Sequence, residues 1–163
     1  MKLMEGIAKC SFGTITAILA AADLWCKSYV EKNLQKGKER LVFKKKISIR
    51  KVYNKGMAFS VGEKFPKIVK YLSGIICGLS GVFSVQEWLK GCCIFRKLAA
   101  SFVLAGAISN TYDRFTRNQV VDYFGFNTKN KKIRNITFNL GDMFIFTGSI
   151  VLFVTEIFGT TKN

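Results

Sequence analysis

With 163 residues, 49% hydrophobic content, 15 Phe and 22% charged residues, the chain gathers its apolar residues into blocks separated by basic stretches, a membrane pattern rather than a soluble one. It contains no histidine, which excludes a Ser-His-Asp triad, a Cys-His dyad, an H-E-x-x-H zinc site and a histidine-ligated haem. The formal net charge of +16 would suit a nucleic-acid binder, but the cations lie between apolar spans, where anionic lipid head groups are the natural partner, so no nucleic acid is expected.

Reading between charges along the chain, the first apolar span runs from Cys10 to Cys26, bounded by Lys9 and Lys27, with Asp23 as its only charge. Its basic start and Ala20-Ala21-Ala22 also fit a cleavable signal peptide. The next segment, Lys27 to Lys67, holds Lys or Arg at 27, 32, 36, 38, 40, 44, 45, 46, 50, 51, 55, 64 and 67, and the positive-inside rule alone places it in the cytoplasm. Within it, Lys46-Ile47-Ser48-Ile49-Arg50 alternates with a period of two before Asn54-Lys55-Gly56, which predicts a small β element ending in a turn. Tyr71 to Gln86 is a second uncharged span, and Leu98 to Tyr112 a third.

After the third span, Val120 to Phe126 is β-branched and aromatic, Asn127 to Arg134 reads as a basic turn, and Ile136 to Phe138 leads into a last span over 139–158, broken only by Asp142 and Glu156. Each span is near or slightly below the roughly 20 residues that cross hydrocarbon as a helix, so the charges at their ends are expected at the interface. Pro66 is the only proline, and there is no Gly/Ser tract or internal repeat. The expectation is one domain, 1–163, an all-α membrane protein of four transmembrane helices (about 10–26, 71–86, 98–112 and 139–158) with a small β cradle. The five cysteines (Cys10, Cys26, Cys77, Cys92, Cys93) lack C-x-x-C spacing and read as small apolar residues.

Carboxylates at or inside a membrane are expensive, and each requires a reason. Asp23 and Lys27, four apart on one helix, can neutralise each other, and Asp113 adjoins Arg114. Asp122 and Asp142 have no local cation, and a chain reversal between them would bring them together. Two carboxylates sharing a low-dielectric site cannot both ionise easily, so one keeps a proton while the other activates water, which suits amide hydrolysis. A surface-loop Asp122 and an N-capping Asp142 are equally compatible with these residues.

Five separated segments sharpen this reading. They are Asp23-Leu24-Trp25-Cys26-Lys27, Asn54 to Ser60 (NKGMAFS), Gly106 to Arg114 (GAISNTYDR), Val120-Val121-Asp122-Tyr123 and Phe138-Asn139-Leu140-Gly141-Asp142. In order and spacing they resemble the lipoprotein signal peptidase (signal peptidase II) family, whose motifs read D-x-x-x-K, N-x-G-x-A-F-S, G-A-x-G-N-x-x-D-R, V-V-D-F and F-N-x-A-D. The resemblance covers most of the chain.

The resemblance implies an intramembrane aspartic endopeptidase of the bacterial cytoplasmic (inner) membrane. It would be a multi-pass monomer without cofactor or metal, removing signal peptides from prolipoproteins on the N-terminal side of a diacylglyceryl-modified cysteine. By motif match, Asp122 and Asp142 take the catalytic positions. Asn54, Gly56, Asn110, Arg114 and Asn139 line the site, and Asp23 and Lys27 belong to the scaffold. The family fold, four helices with a surface β cradle and an amphipathic segment, carries cytoplasmic termini, which opposes the orientation read from the basic first loop. The chain departs from the motifs at Ser109 and Asn118, where glycine is usual, at Tyr123 for phenylalanine, and at Gly141 for alanine. Gly141 is expected to loosen the start of the last helix by up to about 1 kcal/mol, and Ser109 to add bulk where helices pack closely. Two other classes fit the same residues: an inactive relative that binds lipidated or hydrophobic peptides, and a small transporter using the buried charges as a polar path.

Overall fold

The computed structural model describes residues 2–57, 61–90 and 93–159, with side chains from residue 11 to residue 158. The Ala58-Phe59-Ser60 end of one motif, Cys92 and the side chains of Lys2, Lys9 and Cys10 lie outside what is described. In chain order the elements are α1 (Lys2–Asn33), β1 (Glu39–Val42), β2 (Ile47–Asn54), α2 (Pro66–Leu89), α3 (Ile94–Arg117), β3 (Val120–Phe126), α4 (Lys131–Asn135), β4 (Thr137–Phe138) and α5 (Leu140–Gly159). The fold is helix-rich with one small antiparallel sheet, ordered β1-β2-β3-β4.

α1, α2 and α3 extend well beyond the uncharged stretches that predict them, and their ends carry polar residues with partners inside the protein, whereas α5 nearly coincides with the expected span. α1 runs unbroken through Ala20-Ala21-Ala22 to Asn33. α2 opens on Pro66, whose missing N–H costs nothing in a first turn. α3 closes at Asn118, a left-handed residue with φ 57°, the geometry that favours glycine at this position. Pro66–Leu89 and Leu140–Phe158 are long and apolar enough by composition to cross a membrane. Their outward side chains, such as Leu79 and Phe153, remain about two-thirds exposed, at 65% and 66%.

α3 is the central helix and packs against α1, α2 and α5. Its inward face is small, with Ala99, Ala100, Ala105, Gly106 and Ser109 buried. Close backbone approach sets the α3–α5 contact. A β-carbon on Gly106 would collide with the carbonyl of Gly141, and one on Gly148 would lie 2.6 Å from the carbonyl of Ala99.

The sheet caps one end of the helices. β2 pairs with β3 through Ile47↔Phe126 and Asn54↔Val120, with a register shift between Ile49 and Val52. That irregularity sits beside Asp122, which pairs with Val52, and so brings Asn54 to the same end of β3. β3 pairs with β4 through Phe124↔Phe138, and β4 leads directly into α5. This strand–helix succession is the reversal that carries Asp142 back toward Asp122.

Candidate active site

α5 begins with a reciprocal capping box. The Asn139 side chain accepts from the Asp142 N–H at 2.8 Å, and the Asp142 carboxylate accepts from the Asn139 N–H at 3.1 Å. Asp142 is therefore the third helical residue rather than the cap, which is Asn139. The cap has a second use, because its Nδ2 donates to Asp122 Oδ1 at 2.7 Å. One fully buried asparagine thus ties the two carboxylates to each other.

The remaining donors are also amides. Asn54 Nδ2 donates to Asp122 Oδ2 at 3.2 Å, while its Oδ1 accepts from the Gly56 N–H at 2.9 Å, closing a turn at the end of β2. Asn110 Nδ2 donates to Asp142 Oδ1 at 2.9 Å. Arg114 touches neither carboxylate; its guanidinium donates to the carbonyls of Gly56 at 2.8 Å and Asn110 at 3.3 Å, clamping the turn onto α3. Its Nε is buried and finds no partner among the described residues.

Asp122 is buried, and desolvation, reinforced by the charge of Asp142, pushes its pKa up to about 7 against the pull of the Asn139 and Asn54 hydrogen bonds. A carboxylic acid in that range can hold or release a proton at neutral pH. Both aspartates line one cavity of about 720 Å³, whose walls include Met57, Ile76, Ile136, Phe138, Met143 and Phe146. A smaller hollow of about 220 Å³, bounded by Tyr53, Asn135 and Thr137, shares Asn54 and Asp122 with it. The arrangement is two carboxylates, linked through one asparagine, lining an apolar groove.

All seven residues assigned to the site by the motifs meet here: Asp122, Asp142, Asn54, Gly56, Asn110, Arg114 and Asn139. Asp23 and Lys27 lie in a separate buried layer joined to it through Asn110. There Lys27 Nζ sits 2.8 Å from Asp23 and 3.5 Å from Asp113, as the four-residue spacing leads one to expect for the first pair. The pairing of Asp113 with Arg114 does not occur. Adjacent helical residues point apart, and Asp113 instead meets Arg117, four residues on, at 2.9 Å. Asp113 also accepts the N–H of Val121, next to Asp122, at 3.2 Å.

Two participants were visible only as motif departures. Ser109 donates to Asp23 Oδ2 at 2.6 Å, and Tyr123 donates to Asp23 Oδ1 at 3.1 Å while accepting the Leu140 N–H at 3.0 Å. Their substitution for residues without hydroxyls was the available signal. Gly141 stands where a β-carbon would come within 2.8 Å of Asp23 Oδ2, so its role is clearance as well as flexibility.

Comparison with known proteins places these observations. Residues 15–158 match the family model described as signal peptidase (SPase) II. The lipoprotein signal peptidase of Fusobacterium nucleatum is 30% identical over 146 residues, covering 90% of this chain and 86% of that protein. The lipoprotein signal peptidase of Chromobacterium violaceum is 30% identical over 144 residues, 85% of each. Two solved structures, each described as a bacterial membrane enzyme, share the fold. One superposes with a TM-score of 0.80 at 21% identity over 94% of this chain and 91% of the other. The second gives 0.75 at 21% identity over 91% and 93%.

Proposed function

The chain belongs to the signal peptidase II family, and from that premise we propose that Asp122 and Asp142 are the catalytic pair of an aspartic endopeptidase that removes signal peptides from prolipoproteins. The observation that carries the assignment is the bridging Asn139, which holds both carboxylates at a shared apolar cavity.

The chemistry follows from the geometry. Asp142 lies in the first turn of α5, where the helix dipole favours an anion, and acts as the base. Asp122 carries the shared proton. Asp142 removes a proton from water as the oxygen attacks the scissile carbonyl, and Asp122 gives its proton to the carbonyl oxygen. Collapse of the tetrahedral intermediate breaks the C–N bond. The proton on Asp142 passes to the leaving amine, and the hydroxyl proton of the intermediate returns to Asp122. Asn54, Asn110 and Asn139 hold the pair in register, and Arg114 with Gly56 supports the turn that borders the substrate.

The apolar walls suit acyl chains, so a diacylglyceryl group on the cysteine following the cut would seat in the cavity and deliver the peptide bond to the pair. Four helices crossing the bacterial cytoplasmic membrane complete the reading. α1 and α3 are less apolar overall because their polar residues face inward, whereas Ile18, Trp25, Ile108 and Phe115 face out. The termini would be cytoplasmic and the enzyme a monomer.

A cleavage assay in detergent tests this, comparing a lipidated prolipoprotein with its unlipidated form. Cleavage restricted to the lipidated substrate, and abolished in Asp122→Asn and Asp142→Asn, is the expected result. Undiminished cleavage by either variant would refute the assignment, and proton flux through liposomes without cleavage would favour a transporter.

A further inference from the structure

Three features of the buried layer behind the site converge on one carboxylate. Asp23 Oδ2 receives the Ser109 hydroxyl and the Lys27 ammonium, Asp23 Oδ1 receives the Tyr123 hydroxyl, and Gly141 leaves the space that these groups need. These three residues are also positions at which the chain departs from the motifs it otherwise matches. We propose that Ser109 and Tyr123 are positioning residues for catalysis, two hydroxyls that fix the catalytic aspartates through Asp23 and Lys27.

Each hydroxyl reaches one aspartate. Tyr123 adjoins Asp122 on β3, and its oxygen also accepts the N–H of Leu140, one of the unpaired donors at the start of the helix that carries Asp142. It therefore joins the strand bearing one aspartate to the helix bearing the other, with Asp23 of α1 as the anchor. Ser109 acts on the second aspartate. Its oxygen accepts from Lys27 Nζ at 3.0 Å, and the same ammonium donates to Asn110 Oδ1 at 2.8 Å. An ammonium can only donate, so it dictates which end of the Asn110 amide faces it and turns Nδ2 toward Asp142. Losing the serine hydroxyl frees Lys27 to shift toward Asp113 and relaxes that orientation.

Gly141 supplies an internal check. A β-carbon there would lie 2.8 Å from Asp23 Oδ2, which Ser109 and Lys27 hold in place. Alanine at 141 would press on a carboxylate that Ser109 holds, and glycine at 109 would give that carboxylate room to shift, leaving Asn139 Oδ1 at 3.1 Å as the remaining tight contact. The two positions form one unit.

The inference rests on Asp122 and Asp142 being the catalytic pair, and the experiment separates the two ideas. Full-length chain in detergent is assayed on a lipidated prolipoprotein across pH, with thermal melting followed in parallel. The variants are Tyr123→Phe, Ser109→Ala, Gly141→Ala, the double variant Ser109→Gly/Gly141→Ala, and Asp122→Asn. Tyr123→Phe and Ser109→Ala should lower kcat by about 10- to 100-fold, leave KM nearly unchanged and shift the pH–rate profile. Gly141→Ala should be impaired and the double variant largely restored. Unchanged kcat and pH profile in both hydroxyl variants, or strict additivity in the double variant, overturns the proposal. If Asp122→Asn is inactive while the hydroxyl variants behave as wild type, only this inference falls; if Asp122→Asn still cleaves, both fall.

Discussion

Two layers of buried carboxylates lie beside each other in this molecule and are solved in opposite ways. In the inner layer Asp23 and Asp113, both fully buried, are neutralised by Lys27 and Arg117. In the outer layer Asp122 and Asp142 receive only amide N–H groups, from Asn54, Asn110 and Asn139, and open onto a cavity. Amides orient a carboxylate without cancelling its charge, so the outer pair remains able to exchange protons. The ion-paired layer is neutralised, and the amide-held layer is the one proposed above to react.

The sharpest way to break this contrast is to neutralise one carboxylate in the outer layer. Asp122→Asn keeps the shape and should lower cleavage by at least about 10³-fold, the scale of lost acid–base catalysis, while melting no lower than wild type at pH 8. A matched loss of stability would mean that the outer layer is structural too.

Removing a charge from the inner layer should strike stability first, and activity with it. Lys27→Met leaves Asp23 and Asp113 facing each other without their shared cation, and the expected destabilisation is about 3–5 kcal/mol, read as a large drop in melting temperature. Adding Asp23→Asn should recover part of it. The site loses activity both through the weakened fold and because Asn110 loses the ammonium that orients it.

Gly106→Ala tests whether the layers share one frame. Its β-carbon would strike the Gly141 carbonyl and push α5, with Asp142, away from α3. A cost of about 1–3 kcal/mol is expected, with cleavage falling further than stability. Equal falls would show that the site tolerates the displacement.

The smallest effect is in pH. Asp122 is raised from the ordinary carboxylate range to about 7, so the folded chain keeps a proton that the unfolded chain releases. That group's contribution is full below the ordinary range and lost as pH rises through about 7. Wild type should melt a few degrees lower at pH 8 than at pH 5.5, and Asp122→Asn should flatten that difference. Cleavage should also decline as pH rises through about 7, because the shared proton is lost.

Several elements were legible in the chain because their signals are local. Uncharged stretches located the long helices, β-branched and aromatic residues delimited β3, and the alternation over Lys46 to Arg50 marked the first half of β2. β1 was not legible, since Glu39–Val42 is mostly exposed and is a strand only because β2 pairs with it. α4 lay hidden in a run of lysines, held by the Asn130 cap, which accepts the Lys132 N–H. The Asp113 partner was misread because adjacency along the chain is not adjacency on a helix.

The sequence by itself determined the membrane character and the chemical class, and its motifs single out Asp122 and Asp142 as the proposed pair. Composition, the lack of histidine and the motif spacing constrain what groups are available. Only the tertiary structure decided which amides meet Asp122 and Asp142 and which hydroxyls meet Asp23. That choice depends on side chains 17 to 100 residues apart, such as Asn139 with Asp122 and Tyr123 with Asp23, converging where α1, α3, β3 and α5 pack. Reactivity here is set by the partners of a carboxylate, and those partners are fixed by packing rather than by order along the chain.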